Sequence, residues 1–389
     1  MRDAVIVEAV RTPIGKGKPG GALAGTHPVE LLAHTLRALV ERSGVDPALI
    51  DDVIGGTVDQ VGEQAMNTTR YAWLSAGFPD SVPATTVDRQ CGSSQQAVHF
   101  AAQGVISGAY DLVVACGVES MSRVPMWSNV PAGADPFGPG VAARFPGGLV
   151  PQGISAELIA AKWSIGRARM DEFAAASHHR AAAAWDAGLF DAETAPLAEL
   201  RRDESIRPAT TPEVLAGLRP AFEDPGFAER FPQIDWSVTA GNSSPVNDGA
   251  SAVLITSSET AARLGLRPLA RLHGFAVTGS DPVLMLTGVV PATEKVLRGS
   301  GLTLSDIDLF EVNEAFASVV LAWQQETGAD LAKVNAHGGA IALGHPLGAS
   351  GTRLMTTLVH AMRARGARYG LQTMCEAGGL ANATVLEAL

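Results

Sequence analysis

Apolar positions along the chain fall into two alternating textures. Short aliphatic or β-branched runs predict buried strands: Val53-Ile54, Thr85-Thr86-Val87, Leu112-Val113-Val114-Ala115-Cys116, Ala252-Val253-Leu254-Ile255, Leu309-Phe310 and Leu371-Gln372-Thr373-Met374-Cys375. Other stretches carry apolar residues at helical spacing. Ala97-Val98-His99-Phe100-Ala101-Ala102 reads as a helix burying one face, ending near Gly108-Ala109. Strands alternating with helices place the chain in the α/β class.

The pattern occurs twice. Cys91 opens the first helix, and the strand Leu112–Cys116 follows it. Gly348-Ala349-Ser350-Gly351 opens a second helix ending near Gly366-Ala367, and the strand Leu371–Cys375 follows. Asp51-Asp52-Val53-Ile54-Gly55-Gly56 parallels Asp308-Leu309-Phe310-Glu311-Val312-Asn313. Two related α/β units packed together is the simplest account. The division is residues 1–118 for the first half, completed by 249–268, and residues 269–389 for the second. Residues 119–248 form an insertion of different texture. Pro131 to Gly153 holds eleven Gly or Pro in twenty-three residues, so no regular element is expected there. Ala156 to Ala187 is alanine-rich and helical in pattern. Asp203 to Phe231 turns irregular again. A long insertion of this kind is more often functional than idle.

Composition narrows the function classes. With 46% hydrophobic and 18% charged residues, the chain is a well-packed globular protein. A formal net charge of −11 argues against nonspecific nucleic-acid binding. The three cysteines, Cys91, Cys116 and Cys375, show neither CxxC nor Cys/His clustering, so neither a disulfide framework nor a metal site is expected. A reducing, cytoplasmic setting follows. Ala4-Val5-Ile6-Val7 is broken by Glu8 and then Arg11, too short for a secretory apolar core. No apolar run approaches a membrane span, and Leu386-Glu387-Ala388-Leu389 is not a peroxisomal signal.

The candidate chemistry centres on Val87-Asp88-Arg89-Gln90-Cys91-Gly92-Ser93-Ser94. Here a thiol falls at a strand-to-helix turn, where unpaired N–H groups and the helix dipole favour thiolate. This window alone leaves two readings open, a nucleophile and a buried core cysteine. Three further windows change the balance: Asn313-Glu314-Ala315-Phe316, Gly338-Gly339-Ala340-Ile341-Ala342-Leu343-Gly344-His345-Pro346-Leu347-Gly348, and Met374-Cys375-Glu376-Ala377-Gly378-Gly379.

With these four windows in this order, the chain resembles the thiolase family, the 3-oxoacyl-CoA thiolases and acetyl-CoA acetyltransferases. The likeness runs from Val5-Ile6-Val7-Glu8-Ala9-Val10-Arg11-Thr12-Pro13 to the last residues. It implies the thiolase fold: two αβαβα halves in five layers, with an inserted loop domain, residues 119–248, covering the coenzyme A site. It also implies a homodimer or homotetramer, acyl-CoA and coenzyme A as substrates, and no cofactor. The implied reaction is cleavage of a 3-oxoacyl-CoA to acetyl-CoA and a shortened acyl-CoA, most like the catabolic members of fatty-acid or sterol breakdown. An acetoacetyl-CoA-forming biosynthetic thiolase is the alternative. A non-catalytic lipid-binding relative and a ketosynthase rank lower, since every catalytic position and the Gly-His-Pro turn are present.

The resemblance assigns roles residue by residue. Cys91 is the nucleophile, His345 the base that takes its proton, and Cys375 the second acid/base. Asn313 holds an oxyanion-binding water, where the residues alone also allow a helix N-cap. The backbone N–H groups of Cys91 and Ala377 form an oxyanion hole, which survives only if residue 377 does not need positive φ. Ser244, Arg207, Phe316 and Met285 match substrate and coenzyme A contacts, although the residues alone also allow Phe316 and Met285 as core side chains and Arg207 as a solvated arginine. Glu314 reads as a helix-start carboxylate.

Three departures stand out. Pro151-Gln152-Gly153 replaces the His-Met-Gly of short-chain members, so Gln152 belongs to an altered acyl wall. Trp127 and Phe145 are the side chains that could refill the space. Glu376 and Ala377 precede the glycines of the last motif; Glu376 turned inward would raise the Cys375 thiol, and solvent is the expected direction. His337 stands where many members carry asparagine.

Overall fold

The computed structural model describes residues 2–389. In chain order it contains β1 (Val5–Arg11), β2 (Gly15–Lys16), α1 (Pro28–Ser43), β3 (Asp52–Gly56), α2 (Thr68–Ser75), β4 (Ala84–Val87), α3 (Ser93–Ser107) and β5 (Leu112–Ser120). The insertion adds α4 (Gly138–Arg144), α5 (Gln152–Lys162), α6 (Arg167–Asp186), α7 (Pro212–Ala216) and α8 (Pro225–Arg230). Then come β6 (Asn247–Thr256), α9 (Ser258–Leu264), β7 (Ala270–Gly279), α10 (Val289–Ser300), β8 (Leu309–Val312), α11 (Ala317–Thr327), α12 (Ala340–Leu343), α13 (Ser350–Arg365), β9 (Tyr369–Glu376) and β10 (Leu380–Ala388).

The strands run β4-β3-β5-β6-β1 in the first half and β7-β10-β9-β8 in the second. The halves join where β1 meets β7 through Val5↔Arg271 and Ile6↔Ala270. Parallel pairing is confined to the strands farthest from this seam, β3 with β4 and β5 in the first half and β8 with β9 in the second, and the rest is antiparallel. Val334 bridges Phe310 in parallel, at the place where the first half has β4. The repeat read from the sequence is therefore a repeat of topology.

Helices α3 and α13 pack on each other between the two halves of the sheet, while α1 and α2 cover one outer face and α10 and α11 the other. This is the five-layer α/β arrangement. Both central helices stop at a left-handed glycine, Gly108 (φ 80) and Gly366 (φ 63). Being buried there, α3 and α13 carry small side chains on nearly every face. Ser93, Ser94, Ala97, Ala101, Ser350, Gly351 and Thr352 are all buried. Gly351 approaches the backbone of Gln95 so closely that a side chain would force the two helices apart.

The insertion is tied to the sheet by buried charge. Arg11 of β1 bonds Glu193 at 2.5 Å and Asp203 at 2.8 Å, and Asp203 also accepts the N–H of Ile14 at 2.8 Å. All three charged side chains are fully buried, so removing one partner would strand the others. The expected absence of regular structure in 131–153 is corrected by α4, which forms between its prolines and glycines. Pro139 sits in its first turn, where a missing N–H costs nothing. Short α7 and α8 likewise punctuate the stretch read as irregular, each with proline in its first turn and a side-chain cap from Thr211 or Asp224.

Candidate active site

The Cys91 turn is built by its own sequence. After β4, Gln90 adopts φ 49, a left-handed turn that carries the chain into α3. Ser93 secures the turn. Its hydroxyl accepts the N–H of Arg89 at 2.9 Å and donates to the carbonyl of Gln90 at 2.6 Å. Cys91 is thereby turned inward among Val58, Met121, Leu347 and Met374, and is 4% exposed. Burial, and then the Glu376 carboxyl, push its thiol up to about 12, against a smaller opposing effect of the Gln152 side chain. The expected lowering by the helix end does not prevail, because desolvation of a sealed thiol outweighs a surface-scale dipole effect.

His345 is fixed from both sides. Gly344 has φ 116, and a Cβ there would press on Asn247. The Asn247 side-chain carbonyl accepts the His345 backbone N–H at 2.9 Å. The imidazole Nδ1 lies 2.6 Å from Ser350 Oγ, whose own proton goes to the Pro346 carbonyl at 2.8 Å. A hydroxyl that donates elsewhere must accept here, so Nδ1 carries the proton and Nε2 offers a lone pair. Burial, then Arg353, hold the ring down to about 3, so it is neutral. Ser350 is a site residue that the sequence reading missed. Its only signal was a hydroxyl five positions after the histidine, at the start of a helix.

Asn313 follows β8 and donates its backbone N–H to the Thr373 carbonyl at 3.0 Å. Its side-chain Nδ2 lies 3.4 Å from His345 Nε2, and its Oδ1 has no protein partner. It is not a helix N-cap, since α11 begins only at Ala317 after Phe316. Glu314 does more than the helix-start role expected of it. Buried, it accepts from Ser177 at 2.7 Å, Asn335 at 2.9 Å and the Ile341 N–H at 3.1 Å. This ties the Asn313 loop to α6 and to the helix that leads into His345.

Cys375 lies near the end of β9, fully buried and paired with Ala381 of β10. Burial, then Cys91, then Glu376, raise its thiol well above the ordinary value. The turn that follows places its left-handed residues at Gly378 (φ 82) and Gly379 (φ 79). Ala377 is not among the residues of positive φ, so the condition set for its N–H is met.

Cys91, Gln152, Met285 and Ala377 share a cavity of about 410 Å³. Trp127, Phe137, Val150 and Leu380 are among its apolar walls. Trp127 (φ 72) stands in the wall, and Phe145 does not. Asp59 also lines the cavity. Burial raises its carboxyl, and the N–H groups of Asn129 and Trp127 act against that rise.

Other expected contacts lie apart. Phe316 is 7% exposed in the second-half core, edge-on to Phe222 at 5.9 Å, and does not line this cavity. Ser244 donates its N–H to Ala315 at 2.9 Å, beside the Asn313 loop. Arg207 is exposed and lines a different cleft of about 250 Å³ with Lys16 and Lys18. His337 is buried with no partner on either ring nitrogen and meets Phe190 edge-on at 5.8 Å. Glu376 corrects its expectation outright. It is fully buried, with neither carboxyl oxygen hydrogen-bonded. Among the described residues no cluster of His, Cys, Asp or Glu could hold a metal ion.

Comparison with known proteins bears directly on this centre. The family description "Thiolase, N-terminal domain" matches residues 4–259, and "Thiolase, C-terminal domain" matches residues 266–388. The chain belongs to the thiolase family, and it is an acyltransferase. A steroid 3-ketoacyl-CoA thiolase of Mycobacterium tuberculosis is 47% identical over all of this chain and 95% of its own length. A 3-ketoacyl-CoA thiolase of Erwinia tasmaniensis is 45% identical over the whole of both chains. The crystal structure of the Bacillus anthracis acetyl-CoA acetyltransferase superposes with a TM-score of 0.88 at 40% identity, covering 100% of this chain and 99% of that one.

Proposed function

We propose that this thiolase works in the catabolic direction on 3-oxoacyl-CoAs larger than acetoacetyl-CoA, through an acyl group on Cys91. The observation that carries this reading is Cys91 at a large cavity whose walls are mostly apolar, with Gln152 and Trp127 in the wall.

The free centre is neutral, with both thiols raised and the imidazole depressed. Proton transfer from Cys91 to His345 Nε2 therefore accompanies attack on the C3 carbonyl and does not precede it. The imidazolium Nε2–H and a water on Asn313 then stabilise the oxyanion of the thioester that becomes the enolate. The C2–C3 bond breaks, its electron pair passes to C2 of the acetyl-CoA enolate, and Cys375 protonates that carbon. Acyl-Cys91 remains. Incoming coenzyme A gives its thiol proton to the Cys375 thiolate and attacks the acyl carbonyl. The N–H groups of Cys91 and Ala377 hold that oxyanion, and Cys91 leaves with the proton from His345.

In this reading residues 119–248 form a domain over the coenzyme A site, with Ser244 at the pantetheine, Arg207 near the phosphates and Met285 beside the acyl group, while Phe316 packs outside the cavity wall. Coenzyme A is a substrate, and no cofactor is required. A homodimer or homotetramer fits the exposure of Met66 (77%), Trp127 (54%) and Phe137 (53%). Three free cysteines fit a cytoplasmic location. No helix among the described residues is long and apolar enough to cross a membrane.

Substrate class is tested by kcat/KM for acetoacetyl-CoA against longer and ring-bearing 3-oxoacyl-CoAs. Comparable or higher values for the larger substrates are expected, in keeping with the steroid thiolase relative. A steep optimum at four carbons would make this a biosynthetic enzyme like the Bacillus anthracis protein.

A further inference from the structure

The mechanism above makes no use of Glu376, yet Glu376 is the most anomalous side chain near Cys91. Strand alternation puts it on the same side of β9 as Met374, which packs with Cys91. Its carboxyl rests on the Cα of Gly92, where any Cβ would collide with it. Only glycine fits after the nucleophile because this carboxyl occupies the space. Neither oxygen has a hydrogen-bond partner, and the residue is fully buried. A carboxylate in that position would be unsolvated and unpaired, a condition that buried groups avoid by keeping their proton.

The groups around it are few. Arg89 and Asp88, from the turn before Cys91, are the charges that act on Glu376, in opposite senses. Glu376 in turn acts on Cys91 and Cys375, and Glu119 of β5 adds to the effect on Cys91. Burial drives the Glu376 carboxyl well above the ordinary carboxylate range, in accord with the geometry.

We propose that Glu376 is a positioning residue of the centre: a neutral carboxylic acid seated on the nucleophile turn, whose neutrality is a condition for negative charge to develop on Cys91. Ionised, it would set a fixed negative charge beside the sulfur and beside the hole where the oxyanion forms. Neutral, it fills the space above Gly92 and holds the turn without opposing either. The consequence is a pH dependence at Cys91 that belongs to Glu376. At neutral pH the thiol behaves as though position 376 carried no charge. Once alkaline pH removes the Glu376 proton, the resulting carboxylate beside the sulfur opposes ionisation of the thiol.

The proposal rests on the reading of Cys91 as nucleophile only for its consequence in turnover, so the test avoids turnover. Iodoacetamide alkylation of Cys91, read by peptide mass, is followed from pH 7 to pH 11 in the wild type, in Glu376→Gln and in Glu376→Leu. The two neutral replacements guard against an effect peculiar to the amide. At pH 7 both variants should match the wild-type rate within about twofold. At pH 10 both should react faster, by on the order of tenfold, the change that accompanies each unit of thiol pKa. Equal rates at both pH values would show that Glu376 does not govern Cys91 and would overturn the proposal. Faster alkylation already at pH 7 would show a carboxylate in the resting enzyme and overturn it equally. The nucleophile reading fails by a different result, the absence of an acyl group on Cys91.

Discussion

Ser350→Ala examines the part of the site that only the structure reveals. Ser350 Oγ accepts from His345 Nδ1 at 2.6 Å and donates to the Pro346 carbonyl at 2.8 Å. Removing the hydroxyl leaves a buried Nδ1–H without an acceptor, at a cost of about 1–3 kcal/mol. The imidazole can relieve that cost by moving its proton to Nε2, the nitrogen that must receive the proton of Cys91. Either way the productive tautomer loses about 1–3 kcal/mol, which corresponds to a fall of about 5- to 150-fold in rate. The loss should appear in kcat and kcat/KM together, with KM for coenzyme A little changed, because the bond matters when the proton moves. Ser350→Thr keeps the hydroxyl and should recover part of the rate, less what its extra methyl costs in a fully buried position. Steady-state thiolysis with a thermal melt of each variant measures this. A folded Ser350→Ala enzyme within twofold of the wild type would refute the tautomer argument.

Other outcomes follow from the same geometry. Cys375→Ala should still acylate Cys91 from an acyl-CoA but lose about 10²-fold or more in carbon–carbon chemistry; near-normal thiolysis would mean that another group carries that proton. Trp127→Ala should enlarge the cavity and raise kcat/KM for ring-bearing substrates relative to acetoacetyl-CoA by about 10-fold; an unchanged ratio would remove Trp127 from the acyl wall. His99 is buried between Thr384 Oγ1 at 2.8 Å and Asn382 Nδ2 at 3.3 Å, and burial holds its ring down to about 3. The unfolded chain binds this proton near its ordinary value and the folded chain does not. Stability from this group is therefore complete above about pH 6.5 and declines as pH falls toward 3, by about 1.4 kcal/mol per pH unit. Urea unfolding of His99→Gln between pH 7 and pH 5 should show a shallower acid loss than the wild type, and an identical slope would contradict this.

Much of this architecture was legible in the sequence because it is local. The strand at Leu112 and the helix stops at Gly108 and Gly366 follow from β-branched runs and from glycine's access to left-handed backbone. The helical repeat was legible because two stretches of similar length carry the same punctuation. Two of the features that escaped depend on contacts distant in sequence. Glu376 was expected in solvent because a charged residue beside a turn usually is, and nothing in its neighbours announces that Gly92 packs under it. The thiol of Cys91 was expected low because the helix end is visible in sequence, whereas the burial that outweighs it comes from Val58, Met121, Leu347 and Met374, scattered over the chain. Ser350 was overlooked because its partner is a ring nitrogen and its own proton goes to Pro346. The short helix α4 is hidden in the sequence by the density of glycine and proline around it, although proline in a first turn is compatible with helix.

The central claim is that Cys91 carries the acyl group, and the most direct measurement is to find that group. The enzyme is mixed with a 3-oxoacyl-CoA in the absence of free coenzyme A, quenched in acid within the first turnover, digested, and its peptides weighed. The account predicts a mass increase equal to the shortened acyl chain on the peptide containing Cys91, sensitive to hydroxylamine and discharged by added coenzyme A. Acyl mass on Cys116 or Cys375, or on no residue while acetyl-CoA is released, would contradict it.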